Sequence, residues 1–416
     1  MHLYRHGLIL LGTGLYLSGS VGGEEWTRFR GPDGAGQSDA TTIPAVWTKQ
    51  DYRWRVKVPG RGHSSPVASG EQVFVTSTIQ EDSTRIIRAL KSVDGSLLWE
   101  VRLPFSPSDL GRSTAYDTAS PTVDEERVYV AWGSPREYLV VALDRQGGQE
   151  VWRRDLGAFQ GDHGFGPSPI HFEDMVILAN DQSGPSLTLA LDRRTGQERW
   201  AVERRTTRPA YSTPIIYRPK NETAQLVLAS TSHGVSSLDP YTGRLNWEVA
   251  EVFGTDRVVG SPVAAGGLIF AQCGAGGGGT RMIAIRPPAP GSGNDARVMY
   301  AIKGSLPYVP TPVAHGKWLF LISDGGVASC IEIETGRRVW RERLGGNFFG
   351  SPVRVGNRIY CISRPGEIVV LAASPQYQLL GRVDLEEPSH STPAITGGVM
   401  YLRTFSHLMA IGNGSN

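Results

Sequence analysis

The chain has 416 residues, of which 40% are hydrophobic, and its 42 Lys and Arg against 40 Asp and Glu give a formal net charge of +2. This near-neutral balance gives no indication of a nucleic-acid or polybasic membrane partner. The 51 glycines and 27 prolines indicate a chain built from many turns.

The first residues have the three-part pattern of a secretory signal. Arg5 precedes an uncharged apolar stretch over 7–17, and small residues follow at 18–20. We predict a signal peptide over 1–23 and an exported protein of the periplasm or cell envelope. An uncleaved anchor is the alternative, but eleven apolar residues are short for a membrane span, so we expect no span in the mature chain.

Residues 24–52 precede any repeat and form an irregular lead-in. Its segment 26–38 reads Trp-Thr-Arg-Phe-Arg-Gly-Pro-Asp-Gly-Ala-Gly-Gln-Ser and is rich in turn-forming residues. We expect this segment to lie over the body of the domain.

A ten-residue stretch ending at Trp200 recurs along the rest of the chain. Asp192 and Gly196 precede this Trp by eight and four residues. In a hairpin turn an Asp accepts bonds from following amides and a Gly takes a positive φ, while a Trp at the start of the next strand has a large face to bury. Aligned by this turn, eight anchors follow one another at steps of 40 to 53 residues, namely Trp54, Trp99, Trp152, Trp200, Trp247, Tyr300, Trp340 and Leu380.

A Ser-Pro or Thr-Pro pair also occurs eight times. Each pair is followed by a turn and a short apolar run, which is typical of a strand buried on both faces. Because Pro is tolerated at the start of an edge strand, we predict that each repeat has four strands, the first beginning at the Pro and the last carrying the Trp. The pairs begin at Ser65, Ser120, Ser168, Thr213, Ser261, Thr311, Ser351 and Thr392.

The repeats predict an all-β domain over 53–416, an eight-bladed β-propeller of four-stranded antiparallel blades. The strand that carries Trp54 is not preceded by the other three strands of a blade. The three strands predicted after Ser391 are, in turn, not followed by a strand that carries a Trp. We therefore expect this N-terminal outer strand to complete the last blade and close the ring, which removes an open sheet edge. We expect a monomer with free core thiols at Cys273, Cys330 and Cys361.

The recurring turn Ala-Leu-Asp-x-x-Thr-Gly-x-x-x-Trp resembles the pyrroloquinoline quinone (PQQ) repeat of the quinoprotein alcohol dehydrogenase-like propellers, over about 26–412. The resemblance implies the eight-bladed fold. It also implies kinship both with quinone-dependent dehydrogenases and with the non-enzymatic outer-membrane assembly factor BamB. The chain departs from the dehydrogenases because it has no adjacent Cys pair, and their calcium-binding Glu, Asn and Asp match no positions here.

In a propeller, the loops that enter each blade and the loops between its second and third strands emerge together around the channel mouth. Arginines at this mouth suit the carboxylates of an anionic ligand, PQQ included, and His63, His390 and His407 are weak candidates for metal ligands. The candidate ligand-binding residues are Arg61, His63, Asp117, His163, Tyr211, His233, Arg257, Tyr308, Asp324, Arg364, His390 and His407.

These observations favour a non-catalytic binding or assembly scaffold, BamB-like, in the cell envelope. Its expected partner is an envelope protein or a small polar or anionic ligand, with no nucleic acid, no cofactor and no metal. The alternative is a quinone- or metal-dependent oxidoreductase with its site at the His- and Arg-lined mouth, for which the sequence identifies no catalytic residue.

Overall fold

In a computed structural model, residues 25–105, 118–289 and 292–413 are described, and their strands form eight antiparallel four-stranded sheets, one of which gains a fifth strand. The all-β eight-bladed propeller is thus confirmed. The predicted signal peptide and Asp117 lie outside the described residues. Within them, no helix is long and apolar enough to cross a membrane.

The strands follow the chain blade by blade. The lead-in contributes β1 (Gln37–Ser38), a 3-10 helix (Lys49–Asp51) and β2 (Tyr52–Lys57). Blade one has β3 (Val67–Ser69), β4 (Gln72–Ile79), β5 (Thr84–Lys91) and β6 (Leu97–Pro104). Blade two has β7 (Thr122–Val123), β8 (Arg127–Gly133), β9 (Tyr138–Asp144) and β10 (Glu150–Asp155). Blade three has β11 (Ile170–Phe172), β12 (Met175–Asn180), β13 (Gly184–Asp192) and β14 (Glu198–Thr206).

The second half of the ring repeats this pattern. Blade four has β15 (Ile215–Tyr217), β16 (Gln225–Ser230), β17 (Gly234–Leu238) and β18 (Leu245–Val249). Blade five has β19 (Val263–Ala265), β20 (Leu268–Ala275), β21 (Gly278–Arg286) and β22 (Arg297–Ile302). Blade six has β23 (Val313–His315), β24 (Trp318–Ile322), β25 (Val327–Glu332) and β26 (Arg338–Arg343). Blade seven has β27 (Val353–Val355), β28 (Arg358–Ile362), β29 (Glu367–Ala372) and β30 (Leu379–Asp384), and blade eight has β31 (Ala394–Thr396), β32 (Val399–Arg403) and β33 (His407–Ile411).

The two ends of the chain share blade eight, as predicted. Strand β2 pairs antiparallel with β33, with Trp54 opposite Ala410, so the N-terminal outer strand completes the sheet. This pairing leaves no unpartnered outer edge on β33, and it ties the ring shut.

The repeated turn packs each blade against the next. Asp192 accepts bonds from the amides of Arg194 and Thr195, and Gly196 has φ +69°. The indole of Trp152, from the preceding blade, lies so close that a Cβ on Gly196 would sit 2.7 Å from it, and its Nε1 donates to the carbonyl of Arg193 at 2.9 Å. The Gly is therefore required both by its backbone conformation and by the neighbouring ring.

The other repeat tryptophans behave in the same way with one exception. Trp54, Trp99, Trp200 and Trp340 donate from Nε1 to carbonyls of the following blade. Trp247 instead donates to Gln225 of its own blade at 2.9 Å, where the longer segment before β22 replaces the tight turn. All three cysteines are free and buried, as expected.

The eight Ser-Pro and Thr-Pro pairs form a closed ring of hydrogen bonds around the channel. The amide of each Ser or Thr donates to the side-chain hydroxyl of its counterpart in the next blade, from Ser65 to Ser120 at 2.9 Å and finally from Thr392 back to Ser65 at 2.9 Å. All eight links lie between 2.9 and 3.1 Å. We call these eight residues the hydroxyl ring.

The lead-in segment 26–38, called here the channel segment, runs inside the central channel, so the expectation that it lies over the body of the domain is wrong. Trp26 bridges Ala68 of the innermost strand of blade one, and β1 pairs in parallel with β27, the innermost strand of blade seven. The segment is short and turn-rich, and its two aromatics and two arginines are buried or nearly so. It therefore supplies the core that eight short inner strands leave unfilled on the axis.

Candidate functional site

The mouth of the propeller is the face on which the loops that enter the blades meet the loops between second and third strands. His63 and His390 precede the first strands of blades one and eight, whereas Arg364 and Phe405 lie between second and third strands. Because these side chains contact one another, both kinds of loop share one face, as the sequence predicted.

One group of side chains, which we call the histidine cluster, spans blades seven, eight and one. The rings of His63 and His390 have centroids 4.4 Å apart, and Phe405 lies 5.1 Å from each of them. Phe349 packs edge-on against His390 at 5.1 Å, and the Arg364 guanidinium lies 4.4 Å from the centre of the Phe349 ring. The cluster is thus a set of half-buried flat faces bordered by one cation.

The electrostatics of the histidine cluster keep His390 neutral. Burial, and then the nearby Arg364 cation, lower the pKa of His390 to about 4. Arg364 donates from Nε to His390 Nε2 at 3.3 Å, and no carboxylate of the described residues forms an ion pair with it. A neutral imidazole and an uncompensated guanidinium suit a ligand that brings an aromatic face and a negative charge.

A second group, which we call the arginine cluster, spans blades three to six on the opposite side of the ring. Arg257 pairs with Asp162 at 2.6 Å and lies within 3.4 Å of the Tyr308 hydroxyl. The Tyr211 hydroxyl accepts a bond from the amide of His163 at 3.0 Å. Burial, followed by the charge of Arg257, lowers the pKa of His163, and burial raises that of Tyr211. The polar groups of this side are therefore largely paired with one another.

Asp324 holds the loop that carries Tyr308 of the arginine cluster. Its carboxylate accepts the amides of Tyr308 at 2.6 Å and Val309 at 3.1 Å, which fixes the loop that enters blade six. Burial raises its pKa to about 6. Asp324 is thus placed to hold a loop rather than to meet a ligand.

The remaining predicted residues lie apart from both clusters. His233 and His407 each bond a carboxylate of their own blade region, Glu248 at 3.1 Å and Glu387 at 3.2 Å. Arg61 is exposed and bridges Thr78 through its backbone.

The three weak metal candidates are not brought together as a triad. His63 and His390 stack on each other, whereas His407 bonds Ser406 and Glu387. Over the described ranges, no group of three or more His, Cys, Asp or Glu side chains is arranged to hold a metal ion.

The structure shows a closed floor beneath the mouth. Arg28 donates to the carbonyl of Pro214 at 2.6 Å, and Arg30 donates to those of Pro312 at 2.6 Å and Pro352 at 3.0 Å. These prolines directly follow members of the hydroxyl ring, so the channel segment plugs the axis just below it.

PQQ is a planar tricarboxylate, and a site for it would need cations that face its carboxylates. The buried arginines that could neutralise its carboxylates are turned toward main-chain carbonyls. A cavity beside the axis, between Asp181, Ser212 and Pro214, has about 10 Å³, which is the space of one water molecule.

Three contributions to this site were missed from sequence. Phe405 belongs to the histidine cluster, and Arg28 and Arg30 close the channel floor. The two arginines alternate with Trp26 and Phe29, and this pattern of cations among aromatics is the signal for their burial.

The comparisons with known proteins agree with the fold. The model of the family described as outer membrane protein assembly factor BamB matches residues 48–116, 84–307 and 296–411. A comparison with curated protein sequences gives no match.

Among solved structures, BamB from Moraxella catarrhalis superposes with a TM-score of 0.61 and 16% identity, over 89% of this chain and 96% of that one. Quinohemoprotein alcohol dehydrogenase from Comamonas testosteroni gives a TM-score of 0.67 and 13% identity, over 94% and 81%. A europium-containing methanol dehydrogenase gives a TM-score of 0.60 and 11% identity, over 94% of this chain and 98% of that one. At sequence identities this low, the similarity shows the fold alone. BamB and the dehydrogenases share this fold, so it does not distinguish a scaffold from an enzyme.

The family match rests on sequence, and its segments together extend over more than half of the chain. The chain therefore belongs to the family of PQQ-like repeat propellers whose model is described as outer membrane protein assembly factor BamB.

Proposed function

We propose that this protein is a non-catalytic binding scaffold of the cell envelope and that its mouth face holds a protein partner. The observation that carries the proposal is the closed floor of the mouth, where the channel segment occupies the axis and Arg28 and Arg30 bind carbonyls of three blades. A floor of this kind favours contact with a surface or an extended segment over enclosure of a cofactor.

The rim has the composition of an interaction surface. Aromatic and arginine side chains contribute most to the affinity of protein interfaces when they can be covered by a partner. The histidine cluster offers Phe349, Phe405 and two imidazoles that are half-buried, with Arg364 exposed beside them. The partner that fits best presents an aromatic side chain next to a carboxylate.

The cell-envelope location rests on the predicted signal peptide, and the description of the matching family supports an assembly role. A small polar or anionic ligand at the same cluster is the second candidate. The same Arg364 that suits a partner's carboxylate also suits that of a free ligand.

Photocrosslinking tests the proposal directly. A photoreactive side chain is placed at Phe349 or at Phe405, and a control is placed at Val151, an exposed apolar residue of the outer strand of blade two. We expect adducts with an envelope protein from the two mouth positions and none from the control. Equal labelling at all three positions contradicts a specific partner. Stoichiometric uptake of PQQ with calcium, accompanied by alcohol oxidation, supports the oxidoreductase alternative instead.

A further inference from the structure

Two arginine side chains are buried in the central channel. Arg28 and Arg30 are 2% and 1% exposed, and neither forms an ion pair with a carboxylate of the described residues. Burial is the main cause that lowers the pKa of both to about 9, which leaves both protonated at neutral pH. The acceptors of the two guanidinium groups are the carbonyls of Gly34, Ala35, Pro214, Pro312 and Pro352.

Arg28 also has buried donors that meet no acceptor within the described part of the chain. Its Nε and Nη1 atoms are buried and donate to no atom of the described residues, while its Nη2 donates to the carbonyl of Pro214. Asp33 raises the pKa of Arg28, but its side chain is 57% exposed and lies 3.7 Å from Arg218. A buried cation with unfilled donors is costly, and such groups are normally paired.

The two cations also act on each other. The charge of Arg28 is the second cause that lowers the pKa of Arg30, so the two guanidinium groups are close enough to repel. An anion bound at Arg28 would fill one of its free donors and would also reduce this repulsion.

We propose that the central channel contains a binding site for a small monovalent inorganic anion of the chloride class, held at Nε or at Nη1 of Arg28 beneath the hydroxyl ring. Because these two donors point to different edges of the guanidinium, a single ion meets one of them, and chloride requires no particular direction of approach. The carbonyls already bound by these arginines lie close by, and they disfavour an anion of higher charge. This ion is a structural element of the channel floor, independent of what the mouth binds.

Bromide identifies the site in the native protein. Crystals grown or soaked in sodium bromide are measured at the bromine absorption edge. We expect an anomalous peak within hydrogen-bond distance of Arg28 Nε or Nη1. A water molecule in that place, without an anomalous peak, overturns the proposal.

Thermal unfolding gives an independent readout. The midpoint is measured in sodium chloride and in sodium gluconate at equal ionic strength, and we expect it to rise by about 2 °C for each tenfold increase in chloride. The exposed Arg244→Gln variant should keep this dependence, whereas Arg28→Gln should lose it. A chloride dependence that persists in Arg28→Gln, or is absent from the native protein, contradicts the site. If Arg28→Gln does not fold, the bromide result decides.

Discussion

The axis of the propeller and the rim of its mouth are built on opposite plans. On the axis, the eight links of the hydroxyl ring repeat the same bond at 2.9 to 3.1 Å, and Arg30 reaches blades six and seven from the channel segment. At the rim, the types of side chain vary from blade to blade among the described residues, and aromatic and cationic side chains remain partly exposed.

This difference separates stability from binding. Regular, buried hydrogen bonds on the axis hold the blades at a fixed spacing, whereas irregular side chains at the rim are free to vary with the ligand. Substitutions on the axis should therefore destabilise the fold, and substitutions at the rim should alter binding while the fold remains. Four sets of variants test this separation.

The largest expected effect comes from Arg30→Met. The substitution leaves four buried carbonyls without their donor, and we expect it to lower the free energy of unfolding by about 4 kcal/mol. Chemical denaturation measures this change. Arg205→Met, at an exposed position of β14, is the matched control, and a similar loss in both variants would contradict the axial role.

A single broken link in the hydroxyl ring should have a smaller effect. Thr213→Val keeps the shape of the side chain but removes the hydroxyl that accepts the Ser168 amide at 3.1 Å. We expect a loss of about 2 kcal/mol because a buried amide is left unsatisfied. The exposed Thr207→Val should change the unfolding free energy by less than about 0.5 kcal/mol. Equal values for the two variants would mean that the ring adds no stability.

Two rim residues should respond to acid in opposite senses. The pKa of His390 is about 4 in the folded state against 6.5 ordinarily, so the unfolded chain binds more protons and stability falls as the pH drops from 6.5 toward 4. The pKa of Asp324 is about 6 against 3.8, so stability rises as the pH drops from 6 toward 3.8.

The two contributions partly cancel in the native protein, and variants separate them. Between pH 7 and pH 5, His390→Gln should gain about 1 kcal/mol of stability relative to the native protein, and Asp324→Asn should lose about as much. Denaturation at both pH values provides the measurement. Parallel curves for the two variants and the native protein would refute the assigned shifts.

The smallest effect on stability is expected at the rim. Arg364→Gln should change the free energy of unfolding by less than about 0.5 kcal/mol because Arg364 is exposed. The same variant should weaken partner binding about tenfold if the guanidinium meets a carboxylate. The control is Arg382→Gln, on the outer strand of blade seven, and unchanged binding in Arg364→Gln would remove the histidine cluster from the proposed interface.

The sequence predicts the repeated parts of this molecule well. The period of the Trp turns and Ser-Pro pairs establishes the eight blades, and the unpaired strands at the two ends predict the β2 to β33 closure. These features recur, so each copy supports the others. From sequence the members of the hydroxyl ring appear only as the starts of strands, because seven of its bonds join residues about 40 to 55 positions apart and the eighth joins Thr392 to Ser65.

The parts that occur once could not be placed in this way. The segment from Trp26 has no periodicity, and its Gly and Pro residues indicate turns without indicating where they lie. At the mouth, loop position placed His63 and His390 on the correct face, but their stacking depends on side-chain directions that sequence does not encode locally. His407 shares that face and still turns to Glu387, its nearest carboxylate.

Hydrogen exchange of the native protein tests most directly whether the chain plugs its own channel. The amides of Trp26, Gly34 and Gly36 are bonded to carbonyls at 2.8 to 3.0 Å, and that of Arg354 to Gly36 at 2.9 Å. We expect peptides covering 26–38 to exchange as slowly as those covering β27. Exchange of 26–38 within seconds, at the rate of an unstructured chain, would show an open channel and would remove the closed floor on which the scaffold proposal depends.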